Sequence, residues 1–312
     1  MKIPKTHLLL LAGLLLSRQA SAQYDASFSH YFDMETSFNP AAAGQRDAVN
    51  MTAAYAMDLT GFKHNPQTFY AAADMPFLLL NRRHGGGVQL LNDKIGLFTH
   101  QRVAGQYAFR GKLLGGVVAL GVQAGMLSEK FDGSKVDTED PGDPAFATSL
   151  VTGSALDLGL GLMYFRPLWH AGVSVQHVNS PTVILGATNE LAIEPSYYLT
   201  AGCNIKLRNP FLTIKPTMLL RADGTGWRAD VTTRLVYTHD DKMMYGGLGY
   251  SPGNSLTVLV GGKFHGIVLG YSYEAYTSGL GGNGSHGVFL GYQLGISLTR
   301  KGRNRHQSVR LL

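Results

Sequence analysis

The stretch His286-Gly287-Val288-Phe289-Leu290-Gly291-Tyr292-Gln293-Leu294-Gly295-Ile296-Ser297-Leu298-Thr299 reads as two interleaved faces. Its even positions are His, Val, Leu, Tyr, Leu, Ile and Leu; its odd positions are Gly, Phe, Gly, Gln, Gly, Ser and Thr. A β-strand turns successive side chains to opposite sides of its sheet, so one face is aliphatic and aromatic and the other mostly small or polar. In a soluble sandwich the apolar face meets a second sheet. In a transmembrane barrel it meets lipid, and the small, polar face lines the interior. Repetition without intervening helices separates these cases, and the pattern repeats along most of the chain.

Fourteen segments read as strands between turn signals: 49–60, 68–75, 86–93, 101–110, 114–126, 154–166, 170–178, 196–206, 212–221, 226–238, 242–250, 256–264, 266–275 and 286–299. In the first, Val49, Met51, Ala53, Tyr55, Met57 and Leu59 alternate with Asn50, Thr52, Ala54, Ala56, Asp58 and Thr60; in the sixth, Leu156, Leu158, Leu160, Leu162 and Tyr164 alternate with Asp157, Gly159 and Gly161. About ten residues suffice for a tilted strand to cross a bilayer. The expected architecture is all-β: a transmembrane antiparallel barrel of one domain over 49–299. The odd-numbered connections (61–67, 94–100, 127–153, 179–195, 222–225, 251–255, 276–285) are mostly longer than the even ones (76–85, 111–113, 167–169, 207–211, 239–241, 265). Long outer loops, short periplasmic turns and an even strand count are what an outer-membrane barrel demands. A soluble secreted β-sandwich adhesin has no reason to sort its loops by parity.

The N-terminus carries Lys2 and Lys5, the apolar run Leu8 to Leu16, and Ala20-Ser21-Ala22. That is a basic region, a short hydrophobic region and a small-residue cleavage site, which predicts a signal peptide over 1–22 removed after Ala22. The run is too short to span a bilayer as a helix. If the mature chain is embedded in a membrane it is therefore a barrel, because only helices and closed barrels satisfy their backbone in lipid.

Composition agrees: 39 glycines, 15 tyrosines, one cysteine and 15% charged residues. Cys203 has no partner for an intramolecular disulfide and falls on the apolar face with Tyr197, Leu199, Ala201 and Ile205. The formal net charge of +6 is carried by the ends. Lys2, Lys5 and Arg18 lie in the leader, and Arg300, Lys301, Arg303, Arg305 and Arg310 form a basic tail over 300–312, which leaves the body weakly negative. This is not the profile of a nucleic-acid binder. Arg82, Arg83, Arg110, Lys112, Arg166, Arg208, Lys242 and Lys263 gather at the even turns, whereas the longest odd loop holds Glu129, Asp132, Asp137, Glu139, Asp140 and Asp143. Ordinary solvated rim charge accounts for this as well as a docking surface does. If it is a docking surface, the tail residues are candidates for contact with an acidic periplasmic partner.

Residues 23–48 hold Phe28, Tyr31, Phe32 and the run Phe38-Asn39-Pro40-Ala41-Ala42-Ala43-Gly44. The segment is too aromatic for a free tail, and its Pro and Gly break any long regular element. A barrel of this size has an interior wider than its own side chains fill. An N-terminal plug, with Phe38, Asn39, Pro40 and Gly44 at its turn, would fill it; a periplasmic arm packed elsewhere is the alternative. Arg102, Lys215, Arg221, Arg228, Asp230 and Arg234 fall on the inward face, with Arg110 beside them, and Asp25, Asp33 and Glu35 in the segment have the opposite sign to most of them. Buried charges need partners, so segment-to-wall ion pairs are expected; the alternative is a charged aqueous pore. The loop Asp137-Thr138-Glu139-Asp140-Pro141-Gly142-Asp143 lacks the spacing and terminal Glu of an EF-hand. No catalytic, phosphate-loop or zinc pattern is present, so neither enzyme activity nor a cofactor is expected.

The series Gln23-Tyr24-Asp25-Ala26-Ser27-Phe28-Ser29-His30-Tyr31, Phe38 to Gly44, Pro66-Gln67-Thr68-Phe69, Asp74-Met75-Pro76-Phe77, Asn92-Asp93 with Gly96, Tyr107-Ala108-Phe109, Asp143-Pro144-Ala145-Phe146, Ser174-Val175-Gln176-His177 and Gly284-Ser285-His286 resembles the PorP/SprF family of type IX secretion membrane proteins. The ordered series, rather than any one motif, carries the resemblance across nearly the whole mature chain. The chain departs from the family in running on past the last strand to Leu312. The resemblance implies an outer-membrane protein of Bacteroidota-type bacteria in type IX secretion or gliding motility. It would sit among outer-membrane lipids and work with periplasmic lipoprotein components or with a cognate secreted adhesin. The competing reading is a passive outer-membrane channel for hydrophobic or small solutes, of the fatty-acid-transporter type with an N-terminal hatch.

Overall fold

The computed structural model describes residues 24–135, 149–186, 189–279, 282–296 and 298. The leader, the Asp137–Asp143 run and the basic tail from Arg300 to Arg310 lie outside the described residues.

The strands are β1 (Ala48–Met57), β2 (Gln67–Leu79), β3 (Arg82–Ile95), β4 (Phe98–Leu113), β5 (Gly116–Asp132), β6 (Leu150–Phe165), β7 (Trp169–Gln176), β8 (Thr182–Leu185), β9 (Asn189–Ala192), β10 (Ser196–Cys203), β11 (Ile205–Lys206), β12 (Leu212–Ala222), β13 (Trp227–His239), β14 (Lys242–Ser251), β15 (Ser255–Phe264), β16 (Ile267–Tyr276) and β17 (Ser285–Gly295). Each barrel strand pairs antiparallel with its sequence neighbour, and β1 closes on β17 from Ala48↔Gly295 to Met57↔His286. β10 and β11 are two parts of one strand, interrupted at Asn204, and both pair with β12. The result is a closed barrel of 14 strands. β8 and β9 form a separate hairpin in the connection between β7 and β10.

The alternation sorts as the sequence requires. On β17, Val288, Leu290, Tyr292 and Leu294 are exposed while Phe289 is buried; on β5, Leu120, Val122 and Met126 are exposed while Ala119, Gln123 and Leu127 are buried. The outside of the ring is thus a belt of large apolar side chains, and the polar face is the buried one. That inversion is stable only where the surroundings are lipid. Among the described residues no helix is long and apolar enough to cross a membrane.

Several expectations need adjusting; among them, the connection at 76–85 shrinks to the turn 80–81, and Glu129 and Asp132 lie on β5 rather than in the longest loop. The last strand ends at Gly295, opposite the first residue of β1, Ala48; one further bond, Ile296 N–H to Asp47 O, runs past that pair, and Ser297 and Thr299 lie outside the described residues. The connection expected at 94–100 shrinks to the turn 96–97, because β3 and β4 stay paired up to Ile95↔Phe98. The connection at 179–195 contains the β8–β9 hairpin. Val183, Leu185 and Ile193 of this connection bury against Leu127 of β5, with Tyr24, Val151 and Ala155 packed alongside.

Candidate functional site in the barrel interior

Residues 24–47 contact inward-facing groups around the ring, with Tyr24 and Asp25 at groups near the long loops and Ala41 to Gly44 at groups near the short turns. Short 3₁₀ turns at Tyr31–Asp33, Glu35–Ser37 and Pro40–Ala42 shape the path. Near the long loops, the Tyr24 hydroxyl meets His100 Nδ1 and donates to Glu129 Oε1, both at 2.5 Å. Asp25 Oδ2 accepts from the Tyr198 hydroxyl at 2.5 Å, and Asp25 Oδ1 lies 3.2 Å from His177 Nε2 and 3.8 Å from Arg102 Nη1. His177 Nδ1 lies 2.8 Å from Asp157 Oδ1. A carboxylate on each ring nitrogen fits an imidazolium that donates both N–H groups. Burial disfavours charge on His177, but Asp25 and Asp157 outweigh it and lift its pKa to about 9. Burial likewise disfavours the Asp25 carboxylate, yet His177, Arg102 and Tyr198 hold its pKa well below the usual range.

Midway, the Tyr31 hydroxyl donates to Thr217 O at 3.0 Å. Asp33 lies 3.6 Å from Arg234, whose guanidinium sits 3.4 Å above the Phe32 ring. Glu35 pairs with His170 at 2.9 Å. His30 stacks on Phe289, and burial pulls its pKa down to about 4, so it is neutral at physiological pH. A run of amide side chains crosses the wall: Gln89 and Gln106 donate to Gln123, Gln123 donates to Gln176, and Gln106 and Gln176 end on Thr36 O and Phe38 O.

From Phe38 to Gly44 the wall holds the segment's main chain rather than its charges. Phe38 stacks on Tyr198, and its carbonyl also accepts from Ser174 Oγ at 2.8 Å. Asn39 caps its own turn by accepting from Ala41 N at 3.0 Å, and donates to the wall carbonyls of Leu162 and Val173. Arg110 Nη2 reaches three successive carbonyls, Ala41 O at 3.0 Å, Ala42 O at 3.2 Å and Ala43 O at 2.7 Å. Gly121 and Gly161 form a bare cross-strand pair against which Asn39-Pro40-Ala41 lies. Gly44 has φ +66, donates its N–H to Asp74 Oδ2 at 2.8 Å, and sits where a Cβ would come within 2.6 Å of Gly85 Cα.

The sequence-derived inward charges divide into two groups. Arg102, together with Arg110, meets the N-terminal segment directly, as does Arg234; Arg221 donates to Ser27 Oγ at 3.0 Å. Arg228, Asp230 and Glu274 mostly pair along the wall: Arg228 lies 2.8 Å from Asp230 and 2.9 Å from Glu274, and Asp230 3.4 Å from Arg221. Lys215 is half-buried and its pairing register sets it opposite Arg234. Asp157, His177, His100, Glu129 and the glutamines escaped the sequence reading as site residues. The one signal for them was a lone polar residue amid glycines on an inward face, as in Asp157, Gly159, Gly161. Among the described residues no group of three or more His, Cys, Asp or Glu could hold a metal ion.

The described parts of the stretches that carried the family resemblance meet in space here: Tyr24 and Asp25 with His177, and Gly44 with Asp74-Met75. The family profile described as "Type IX secretion system membrane protein PorP/SprF" matches residues 20–292. No curated protein sequence matches the chain significantly. Among solved structures, the Ralstonia pickettii toluene transporter TbuX is 13% identical with a TM-score of 0.49, covering 85% of this chain and 93% of its own. The Pseudomonas putida toluene transporter TodX is 10% identical with a TM-score of 0.49, covering 89% of this chain and 95% of its own.

Proposed function

Because the chain belongs to the PorP/SprF family of type IX secretion system membrane proteins, we propose that it is a non-enzymatic outer-membrane component of that secretion or gliding machinery, and that it acts through its rims rather than its lumen. In this reading residues 24–47 are a fixed plug. The long loops face outward, toward a cognate secreted protein. The short turns and the basic tail face the periplasm and dock components of the apparatus.

The supporting observation is the continuity of interior contact from Tyr24 to Gly44. A hatch that opens for solutes needs a detachable end. Here one end holds three carboxylate contacts, and the other holds a buried guanidinium on three carbonyls. Leaving such groups unsatisfied costs on the order of 1–3 kcal/mol each.

An in-frame deletion in the producing bacterium should trap a surface protein inside the cell while leaving outer-membrane permeability to small hydrophobic and polar dyes unchanged. Normal surface display together with reduced dye uptake would refute this reading and favour the passive channel. In a planar bilayer, the intact purified barrel should show little conductance, and a barrel lacking residues 24–45 should show more. Equal conductance of the two would remove the plug.

A further inference from the structure

Three consecutive short turns, those after β2, β4 and β6, present leucine at the rim, and two of these leucines occupy strained backbone. Leu80 and Leu114 are 89% and 80% exposed, more than any other large apolar residue described. Each opens a two-residue turn at positive φ, +49 at Leu80 and +46 at Leu114, followed by Asn81 at +63 and Gly115 at +75. A tight hairpin with both central residues at positive φ favours Asn, Asp or Gly. The equivalent positions of the turns after β13 and β15 are Asp240 (φ +51) and His265 (φ +49). A leucine in the left-handed region costs about 1–2 kcal/mol, so these two leucines are held against the preference of their own turns. The third turn, Arg166-Pro167-Leu168, exposes Leu168. It is tied to the second turn: Arg166 donates to Leu114 O, and the Tyr164 hydroxyl reaches Leu113 O at 3.1 Å and Leu114 O at 3.2 Å.

Arg82, Lys112 and Arg166 stand exposed among these leucines. Residues 78–83, 111–116 and 165–169 contain no Asp or Glu, and the described residues include no ion pair to any of these three cations. The other three short turns also have exposed apolar neighbours, Leu207 and Phe211 beside Arg208, and Phe264 and Ile267 beside His265-Gly266, but their tips are Asn209-Pro210, Asp240-Asp241 and His265-Gly266, with no leucine at positive φ. Among the short turns, leucine in the left-handed region at an exposed tip is therefore confined to those after β2 and β4, and the third turn is tied to the second, which places all three on one arc, β2 to β7, of a ring whose strands follow one another in order. Lipid surrounds a barrel on every side, so anchoring in lipid gives no reason for an arc. A protein docked at one place does.

We infer that the arc formed by Leu80, Leu114, Leu168, Arg82, Lys112 and Arg166 is the docking surface for a periplasmic protein partner that presents apolar side chains flanked by carboxylates. The inference rests on the reading that the short turns face a periplasmic apparatus, and it adds where the contact is made and by what chemistry. The leucines supply the water-excluded centre, and the cations steer approach and fix register.

The test places a photo-crosslinking amino acid at positions 80, 114, 241 and 265, one at a time, in the full-length barrel in its native outer membrane. Positions 80 and 114 should give one dominant protein adduct, and 241 and 265 little. The protein identified in that adduct is then purified and titrated against the barrel in zwitterionic phosphatidylcholine nanodiscs, wild type and Leu80→Asn/Leu114→Asn. The double variant installs a residue that the turns favour, so its heat-modifiable gel mobility should be kept, while its affinity should fall at least tenfold. Adducts to lipid alone, adducts of equal yield from all four positions, or equal affinities would each overturn the inference. An arc-specific adduct with a protein foreign to the secretion apparatus would keep the docking surface and overturn the proposed function. A secretion defect on deletion without arc-specific crosslinking would do the reverse.

Discussion

Replacing Gly121 with Ala adds one carbon to the wall and should unseat the N-terminal segment without opening the barrel. A Cβ there would lie 2.6 Å from Ala41 Cα, and nearer still to Ala41 N. To regain an ordinary contact of 3.4 Å, the turn Pro40–Ala42 must move by about 0.8 Å at that Cα and further at the amide. It has no slack for this. Arg110 reaches Ala41 O, Ala42 O and Ala43 O at 2.7 to 3.2 Å, and the Asn39 amide bonds to the wall are already 3.3 and 3.4 Å long. A shift of that size loosens the Asn39 bonds and leaves the buried Arg110 guanidinium partly unpaired, which costs about 3–5 kcal/mol when a buried charge loses its partners. The strand itself does not suffer, because Ala in place of Gly is favoured by roughly 0.5–1 kcal/mol.

The assay is chymotrypsin digestion of the barrel reconstituted in nanodiscs, read as N-terminal fragments ending at Tyr31, Phe32 or Phe38, with planar-bilayer conductance alongside. Gly121→Ala should release these fragments and raise conductance while keeping heat-modifiable mobility. Gly246→Ala, where a Cβ meets nothing within 4 Å, is the control and should behave as wild type. If Gly121→Ala stays protected, with unchanged conductance and unfolding midpoint, the close seating of Asn39-Pro40-Ala41 on the wall is not what holds the segment.

Two further outcomes follow from the charged anchors. His177 has its folded pKa raised to about 9, so its contribution is complete below the unfolded value near 6.5 and is lost as pH rises through 9. Raising pH from 6.5 to 10 should therefore weaken the Tyr24–Asp25 anchor by about 3 kcal/mol; faster hydrogen exchange at residues 24–28 reads this, and a pH-independent rate ratio to a wall amide would sink it. Arg234→Lys keeps the charge beside Asp33 but gives up the planar stack on Phe32, so the urea unfolding midpoint should drop by an amount equivalent to about 1–2 kcal/mol. A midpoint equal to wild type would mean that the stack contributes nothing.

The wall was legible in the sequence because lipid imposes a period of two on one face of every strand. Val288, Leu290, Tyr292 and Leu294 need no knowledge of their neighbours to declare an outward face. The bounds were less legible, because alternation does not say where a partner strand stops. Ile296 continues the pattern of β17, but the paired strand ends at Ala48↔Gly295, and a single N–H bond from Ile296 to Asp47 O runs past it. The β8–β9 hairpin was missed because its apolar residues are few, and it buries them by leaning on Leu127 rather than by joining the ring.

The interior follows a different rule, and this is why only its outline could be read. An inward position is constrained by what the N-terminal segment puts opposite it, and those partners are far away in the chain: Asp25 meets His177 across 152 residues, and Tyr31 meets Thr217 across 186. Sign alone was visible, since acidic residues in the segment face mostly basic residues on the wall. Which acid meets which base was not, and neither was the main-chain recognition by Arg110, whose partners are carbonyls that any sequence supplies. Glycine shows the same limit. Gly121 and Gly161 look like any small residues on a polar face, and only the path of Asn39-Pro40-Ala41 over them explains why a methyl group cannot stand there. A sequence in which the wall and the segment must fit each other at so many separated points specifies the two together. On this argument, moving the segment away from the wall would leave the Arg110 guanidinium without its carbonyls and Arg234 without its ion pair to Asp33, which is a reason for the segment to stay where it is rather than to swing as a gate.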